Sequence, residues 1–528
     1  MTSTSPVYCF ISAGNMHCIP VTSFTDNSIA SISMTNSSND SSDSDNELVP
    51  RKESKSIKMS IKHKNLLFSL HNPSLSDLTS SNKKDVTLSP PLTSEEESAQ
   101  ISTILDNYST HAIYLPQFQI NLSENVDSDY IQIKKLLSKV FPTTWNNKSN
   151  ITIKRLTGGI TNMLLSCNYT DPTTHFNHTV LMRVYGQGTN LIIDRHREFV
   201  SHLVLNSLHL APTIHARFAN GLIYGFLPGR SLEYNELKHP KLFPLIAQQL
   251  GNWHNKIKSD YIDDGVGKLN NYTLLLKSSN KKQKLDPNNN PKKAIITSIW
   301  DLIEDWIKNV PTTQGLIDSF NENNNTNEVD KSNLKSYIKK EFDWLKSTLN
   351  ESVKSPIVSS HCDLLSGNII VPNSDEYSEA NLAKSFNDEP IKLKDDLSNP
   401  IQFIDYEYML PAPRAFDIAN HLAEYQGFDC DRLAIPEASF TNPFLIEWCR
   451  GYLSNELDSN NSDKNDRLIH DLLNEIISYY GMPGFYWGIW ASIQSEISNI
   501  DFNYSNYSKL RLQEYWDWKE KFTQSLNL

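Results

Sequence analysis

The sequence predicts an α+β protein in two lobes, a small antiparallel-sheet N-terminal lobe and a larger, mostly helical C-terminal lobe. Three observations predict it. From about Ala112 to Leu227 the chain carries short apolar runs broken by turn residues, as hairpins require. Pro228-Gly229 then interrupts the chain and reads as a hinge. Beyond it, apolar residues recur at helical spacing almost to the C-terminus.

Composition bounds the rest. A length of 528 residues allows more than one domain. The hydrophobic content of 38% and mean hydropathy of −0.46 are low, because Ser, Asn, Asp and Lys crowd into a few stretches. Residues 1–110 therefore read as a mostly disordered Ser/Asn-rich tail, with one apolar patch at Val7 to Val21. Residues 111–228 form the expected N-terminal lobe and 229–528 the C-terminal lobe, with polar insertions near 277–293, 319–333 and 373–400.

A net charge of −12 argues against nucleic acid as a partner. The six cysteines show no C-x-x-C pair, as expected of reduced intracellular thiols. No lysine or arginine precedes Arg51, so a secretory leader is not expected. The most apolar run, Gly484 to Ile493, is about half the ~20 residues of a membrane span. A cytoplasmic protein without a transmembrane segment is the expectation. The oligomeric state stays open, a homodimer included.

Taken in order, AIYLPQFQINL reads as a strand and turn, and Tyr130 to Phe141 as an amphipathic helix. Strands Ile151 to Leu156 and Met163 to Tyr169 flank a turn, Gly158-Gly159-Ile160-Thr161-Asn162. Two glycines at such a tip let backbone N–H groups approach phosphates, although most Gly-Gly turns merely turn. The next strand carries Arg183, a candidate cation for phosphates. The helix after it offers Glu198 and Asp194 as partners, with Glu198 favoured. Asn220-Gly221 marks a hairpin into an apolar strand, Leu222 to Leu227. Backbone groups of Phe226 and Leu227 stand where an adenine would be read. Leu242 to Ile257 forms a helix with a core stripe, on which His254 reads as structural. Helices follow around Trp300 to Trp306 and Tyr337 to Leu349, with an Asn-rich gap between them.

Chemistry concentrates in SSHCDLLSGNIIV (Ser359 to Val371) and IQFIDYE (Ile401 to Glu407). A polar loop between apolar runs holds Asp363 and Asn368, and a second run delivers Asp405. Phosphoryl transfer needs an aimed hydroxyl, a held metal and neutralised charge, and these three oxygen-bearing side chains supply that set. Asp417, His421 and Glu424 then share one helical face. Bracing of the catalytic loop is the preferred reading for Asp417 and His421. Trp487 and Trp490 share a face that can wall a pocket for an organic cation, although aromatic residues mostly build core.

These residues resemble a known family. HCDLLSGNII is similar to the motif shared by choline/ethanolamine kinases and aminoglycoside phosphotransferases, and FIDYEYMLPAPRAFDIANHLAEY resembles the longer choline/ethanolamine kinase signature. GITNML, NLIIDRHRE, NGLIYGF and FYWGIWASIQSEISNIDFNY match family blocks in order, over roughly residues 115–525. The resemblance implies a protein-kinase-like fold, ATP as co-substrate, Mg²⁺, and phosphorylation of ethanolamine on the route to phosphatidylethanolamine. It casts Asp363 as the catalytic base, Asn368 and Asp405 as metal ligands, and Gly158, Gly159, Thr161, Asn162 and Arg183 as phosphate-binding residues. Glu424, Trp487 and Trp490 would line the amino-alcohol pocket, with Phe502 and Tyr507 as additions.

The chain lacks Gly-x-Gly-x-x-Gly, Val-Ala-Ile-Lys and Asp-Phe-Gly, which argues against a protein kinase proper. After Glu424 the run Tyr425, Gln426, Gly427, Phe428, Asp429 is poorer in aromatics than in many choline kinases. That tilts the reading to ethanolamine. Choline or dual activity, a non-catalytic nucleotide-binding scaffold, and a structural metal site at His361, Cys362 and Asp363 are the alternatives.

Overall fold

The computed structural model describes residues 7–12, 15–20, 103, 113–121, 130–145, 147–156, 162–186, 188–279, 296–393, 399–498, 500 and 502–526. These lie in one compact unit that spans residues 6–20 and 94–528. The apolar patch near the N-terminus forms two paired antiparallel strands, β1 (Val7–Ser12) and β2 (Asn15–Pro20). The remainder of the expected tail, Thr103 apart, lies outside the described residues, as does most of the 277–293 insertion.

A six-stranded sheet follows. Its strands are β3 (Ile113–Leu115), β4 (Ile151–Leu156), β5 (Asn162–Thr170), β6 (Asn177–Tyr185), β7 (Ile214–Phe218) and β8 (Gly221–Gly225). The spatial order is β3-β7-β8-β6-β5-β4, and only the β3–β7 pair is parallel. Period-2 alternation decides its faces. Leu165, Cys167 and Tyr169 of β5 and Val180, Met182 and Val184 of β6 turn to one side. There they pack with Trp145 and with Ile133, Leu136, Leu137 and Val140 of helix α1 (Ile131–Val140). The opposite register position, Arg183, is left facing the rest of the protein.

Helix α2 (Arg195–Ser207) starts at Asp194, whose carboxylate accepts the backbone N–H groups of His196 and Arg197 at 3.0 and 3.2 Å. Asp194 is therefore a helix cap. The strand expected to reach Leu227 ends at Gly225, and Phe226 and Leu227 continue as extended linker. Gly229 then passes so close to the next sheet that a Cβ would meet Ile370 Cγ2 at 2.3 Å. That sheet pairs β9 (Arg230–Ser231), β11 (Ile369–Val371) and β12 (Gln402–Phe403), tying the linker directly to the segment of Asn368 and Asp405. A two-stranded pair, β10 (Ile357–Ser360) with β13 (Leu410–Pro413), stands beside it.

The helical part comprises α3 (Phe243–Lys256), α4 (Ser259–Ser279), α5 (Ile299–Asn309), α6 (Gln314–Asn323), α7 (Leu334–Ser352), α8 (Glu379–Lys384), α9 (Arg414–Ala423), α10 (Pro443–Tyr452), α11 (Ser462–Tyr479), α12 (Met482–Ile497) and α13 (Tyr504–Leu526). Two of the regions read as polar insertions are packed against the rest of the protein through their described residues. Helix α6 runs into the Asn-rich gap, burying Phe320, and Asn321 exchanges two hydrogen bonds with the backbone of buried Val329. The 373–400 segment folds back on the start of the helical part. Arg230 donates to Tyr377 O, His239 bonds Leu382 O, and Asn399 donates to Leu245 O. Composition does not reveal such docking, because side chains satisfying distant backbone carbonyls look polar in sequence.

Candidate active site

The β11–β12 hairpin brings two candidate ligands together. Ile369 pairs with Phe403 and Ile370 with Gln402, and Ile404 N–H donates to Asn368 O at 3.0 Å. Asn368 and Asp405 thus leave the same end of one ladder, despite the long insertion between their strands. The single turn Ser366–Asn368 then swings the Asn368 side chain back onto the preceding loop. Its Nδ2 donates to Asp363 O at 2.7 Å and to Asp363 Oδ2 at 3.2 Å. Asp405 and Cys362 both adopt left-handed backbone, with φ of 66° and 63°. Such angles are strained for side-chain-bearing residues and aim them out of the local strand direction.

Behind the loop stands α9. Asp417 accepts the backbone N–H groups of His361 and Cys362, each at 2.8 Å, and the ring of His254, also at 2.8 Å. His254 passes its other nitrogen to the Tyr452 hydroxyl. Asn420 donates to Cys362 O at 2.9 Å, and His421 bonds Leu364 O at 2.8 Å. One helical face therefore holds the main chain on both sides of Asp363. Asp417 and His421 are engaged by backbone, as is the loop around His361 and Cys362. Among the described residues no cluster of three or more His, Cys, Asp or Glu is arranged to hold a metal ion.

On the sheet side, Arg183 Nη1 contacts Asp405 Oδ1 at 2.8 Å, Glu198 Oε1 at 3.1 Å and Glu407 Oε2 at 3.2 Å. A second arginine escaped the sequence reading. Arg195 Nη1 lies 2.9 Å from Glu198 and 3.0 Å from Glu407, and its Nη2 donates to Asn162 Oδ1 at 2.8 Å and Thr189 Oγ1 at 2.7 Å. Asn162 in turn donates to Glu407 at 2.6 Å. Asn162, at the end of the glycine turn, is thereby joined to the strand that carries Asp405. Gly158, Gly159, Ile160 and Thr161 lie outside the described residues. A cleft of about 1010 Å³ opens beside the two ends of that turn, lined by Leu156, Asn162, Tyr185 and Arg195, and by Gln494 and Ile497 from α12.

The remaining candidates gather around α12. Trp487 and Trp490 meet edge-to-face at 5.3 Å. Trp487 donates to Asn420 Oδ1 and Trp490 to the Tyr408 hydroxyl, each at 2.8 Å. Phe428, Phe502 and Tyr507 form an adjoining cluster. Glu424 is buried, and Arg511 faces its Oε1 at 3.4 Å. Arg511 is the second arginine that sequence reasoning missed. Its partner is 87 positions away, and no local pattern links them.

Electrostatics tie these groups together. Burial pushes the Asp363 carboxyl well above its usual range, and the charges of Asp405, Glu424 and Glu407 raise it further. Asp405 is also raised, by burial against the lowering effect of Arg183. Acidic groups that hold one another up in this way form a site that a cation would relieve. The donor set of Asp405 and Asn368, a carboxylate and an amide oxygen beside the Asp363 carboxyl, suits a hard divalent ion. Asp405, with 28% of its side chain exposed, leaves the approach open.

Sheet, linker and metal-type hairpin are the architecture of a protein-kinase-like phosphotransferase. The family model for choline/ethanolamine kinase matches residues 153–516, well over half the chain. A probable ethanolamine kinase of Nematostella vectensis is 30% identical over 75% of this chain and 95% of its own length. The ethanolamine kinase of Drosophila melanogaster is 30% identical over 66% of this chain, and the match spans 56% of that relative's length. Among solved structures, Plasmodium vivax ethanolamine kinase superposes with a TM-score of 0.51 at 25% identity, covering 80% of this chain and 95% of its own. The chain belongs to the choline/ethanolamine kinase family.

Proposed function

We propose that this protein is an ethanolamine kinase that moves the γ-phosphoryl group of ATP to the hydroxyl of ethanolamine, feeding phosphatidylethanolamine synthesis. The observation that carries it is the convergence of Asp363, Asn368 and Asp405 at one end of the β11–β12 hairpin. Asp363, desolvated and fixed from behind, accepts the hydroxyl proton as the oxygen attacks phosphorus. Asn368 and Asp405 would hold Mg²⁺, which when bound would supply charge neutralisation at the phosphates. Arg183, with Asn162 and the glycine turn, positions those phosphates, and the backbone of Phe226 and Leu227 meets the adenine. Glu424 receives the substrate ammonium against Trp487 and Trp490.

The 111–228 and 229–528 segments act as the two lobes of this cleft, in the cytoplasm, and a homodimer is testable by light scattering. Family relatives named ethanolamine kinases support the amino-alcohol assignment. The test is a substrate panel with Mg-ATP: ethanolamine should give the highest kcat/KM, choline a lower one and an aminoglycoside none. A clear preference for choline would replace ethanolamine as the substrate.

A further inference from the structure

Three arginine–glutamate contacts in this protein invite comparison. Arg230 grips Glu236 through two bonds of 2.8 and 2.7 Å, and Arg414 grips Glu475 through two of 2.9 and 2.7 Å. These are the bidentate forks that arginine favours. Arg511 is different. It is completely buried, yet its Nη1 lies 3.4 Å from both Glu424 Oε1 and the Tyr507 hydroxyl, and its Nε lies 3.3 Å from Glu514 Oε2. Among the described residues neither its Nε nor its Nη2 has a hydrogen-bond partner. The guanidinium is shared between two carboxylates and grips neither.

The position is built, not accidental. Arg511 sits on α13 where that helix crosses α12 closely, and a Cβ on Gly484 would meet Arg511 O at 2.5 Å. Glu514 is fixed independently by Gln426 Nε2 at 2.9 Å. Glu424 Oε2 accepts no hydrogen bond among the described residues. Two carboxylates and one guanidinium leave one negative charge in the cluster, which a single ammonium would complete. Burial pushes Glu424 up, and the charge of Arg511 is the main influence holding it down.

We propose that Arg511 is a specificity-determining positioning residue: by dividing its charge between Glu424 and Glu514, it holds Glu424 through one oxygen and leaves the other free for a primary ammonium. A primary ammonium brings N–H donors that need this acceptor, whereas a quaternary ammonium has none and depends on aromatic faces alone. The inference rests on the reading that Glu424 lines the amino-alcohol pocket.

The experiment uses the full chain with Mg-ATP, ethanolamine and choline. Arg511→Met should raise the KM for ethanolamine at least tenfold while leaving the KM for ATP unchanged. Choline should be affected less, so that the ethanolamine-to-choline ratio of kcat/KM falls, and Arg511→Lys should restore most of the preference. Glu514→Gln removes a competing charge without touching the arginine. It should raise the KM for ethanolamine a few-fold, and it keeps the proposal falsifiable should Arg511→Met fail to fold. Equal losses on both alcohols, or unchanged preference in Arg511→Met and Glu514→Gln while Glu424→Gln raises the KM for ethanolamine, would overturn the role of Arg511 and leave the pocket reading standing. An unchanged KM in Glu424→Gln would overturn the pocket itself, and the inference with it.

Discussion

The two sides of the loop at Asp363 are built on opposite principles. Behind it, Asp417, Asn420 and His421 hold the main chain through bonds of 2.8 to 2.9 Å. In front, Asp363, Asp405, Glu407 and Glu424 crowd like charges, and Arg183 and Arg511 each serve more than one carboxylate. The rear is held by short hydrogen bonds to the main chain; the front is crowded with charge. Such a division suits the phosphoryl transfer proposed above, because preorganised groups need not rearrange when charge develops.

The largest effect should come from the front. Asp363→Ala should lower kcat by about 10²–10⁴, the usual contribution of a positioned base, with melting temperature unchanged or raised. Retained kcat would remove Asp363 from the chemistry and blur the contrast between the two sides. Asp417→Ala tests the rear. Stripping acceptors from two buried N–H groups and His254 should cost about 3 kcal/mol or more in denaturant unfolding, and kcat should fall as the loop loosens. A stable Asp417→Ala protein with full activity would show that the rear is not a brace.

Much of the front was legible in sequence, and the reason is spacing. Asp363 and Asn368 are five apart on one loop, and Arg183 and Glu198 lie on consecutive elements. Arg195, Glu407 and Arg511 were not legible, because their partners lie 212 and 87 positions away, and a lone charged residue ordinarily faces solvent. The fold was legible for the same reason: hairpin alternation and helical stripes are local patterns. The docking of the 373–400 segment was not, since polar residues bonded to remote carbonyls carry no periodicity.

A smaller effect concerns pH. Burial holds the rings of His202, His215 and His421 down to about 4, from an ordinary 6.5. Between those values the unfolded chain binds more protons than the folded one. Stability must therefore fall as pH drops from 6.5 toward 4, at up to about 1.4 kcal/mol per unit for each histidine. Urea titrations at pH 7 and 5 should show this, and a flat profile would mean these rings are wetter than their burial implies. The smallest effect marks a surface that belongs to neither side: Leu433, 95% exposed, should tolerate Ser within about 0.5 kcal/mol and with kcat/KM unaltered.

The left-handed backbone at Cys362 and Asp405 has an evolutionary corollary. Glycine would adopt either angle at no steric cost, but Cys362 is fully buried in the core and Asp405 holds Arg183 at 2.8 Å, so glycine would trade relief of strain for a cavity at one position and a lost ion pair at the other. Packing and charge, apart from chemistry, would therefore keep side chains at both bends in a lineage released from selection for catalysis.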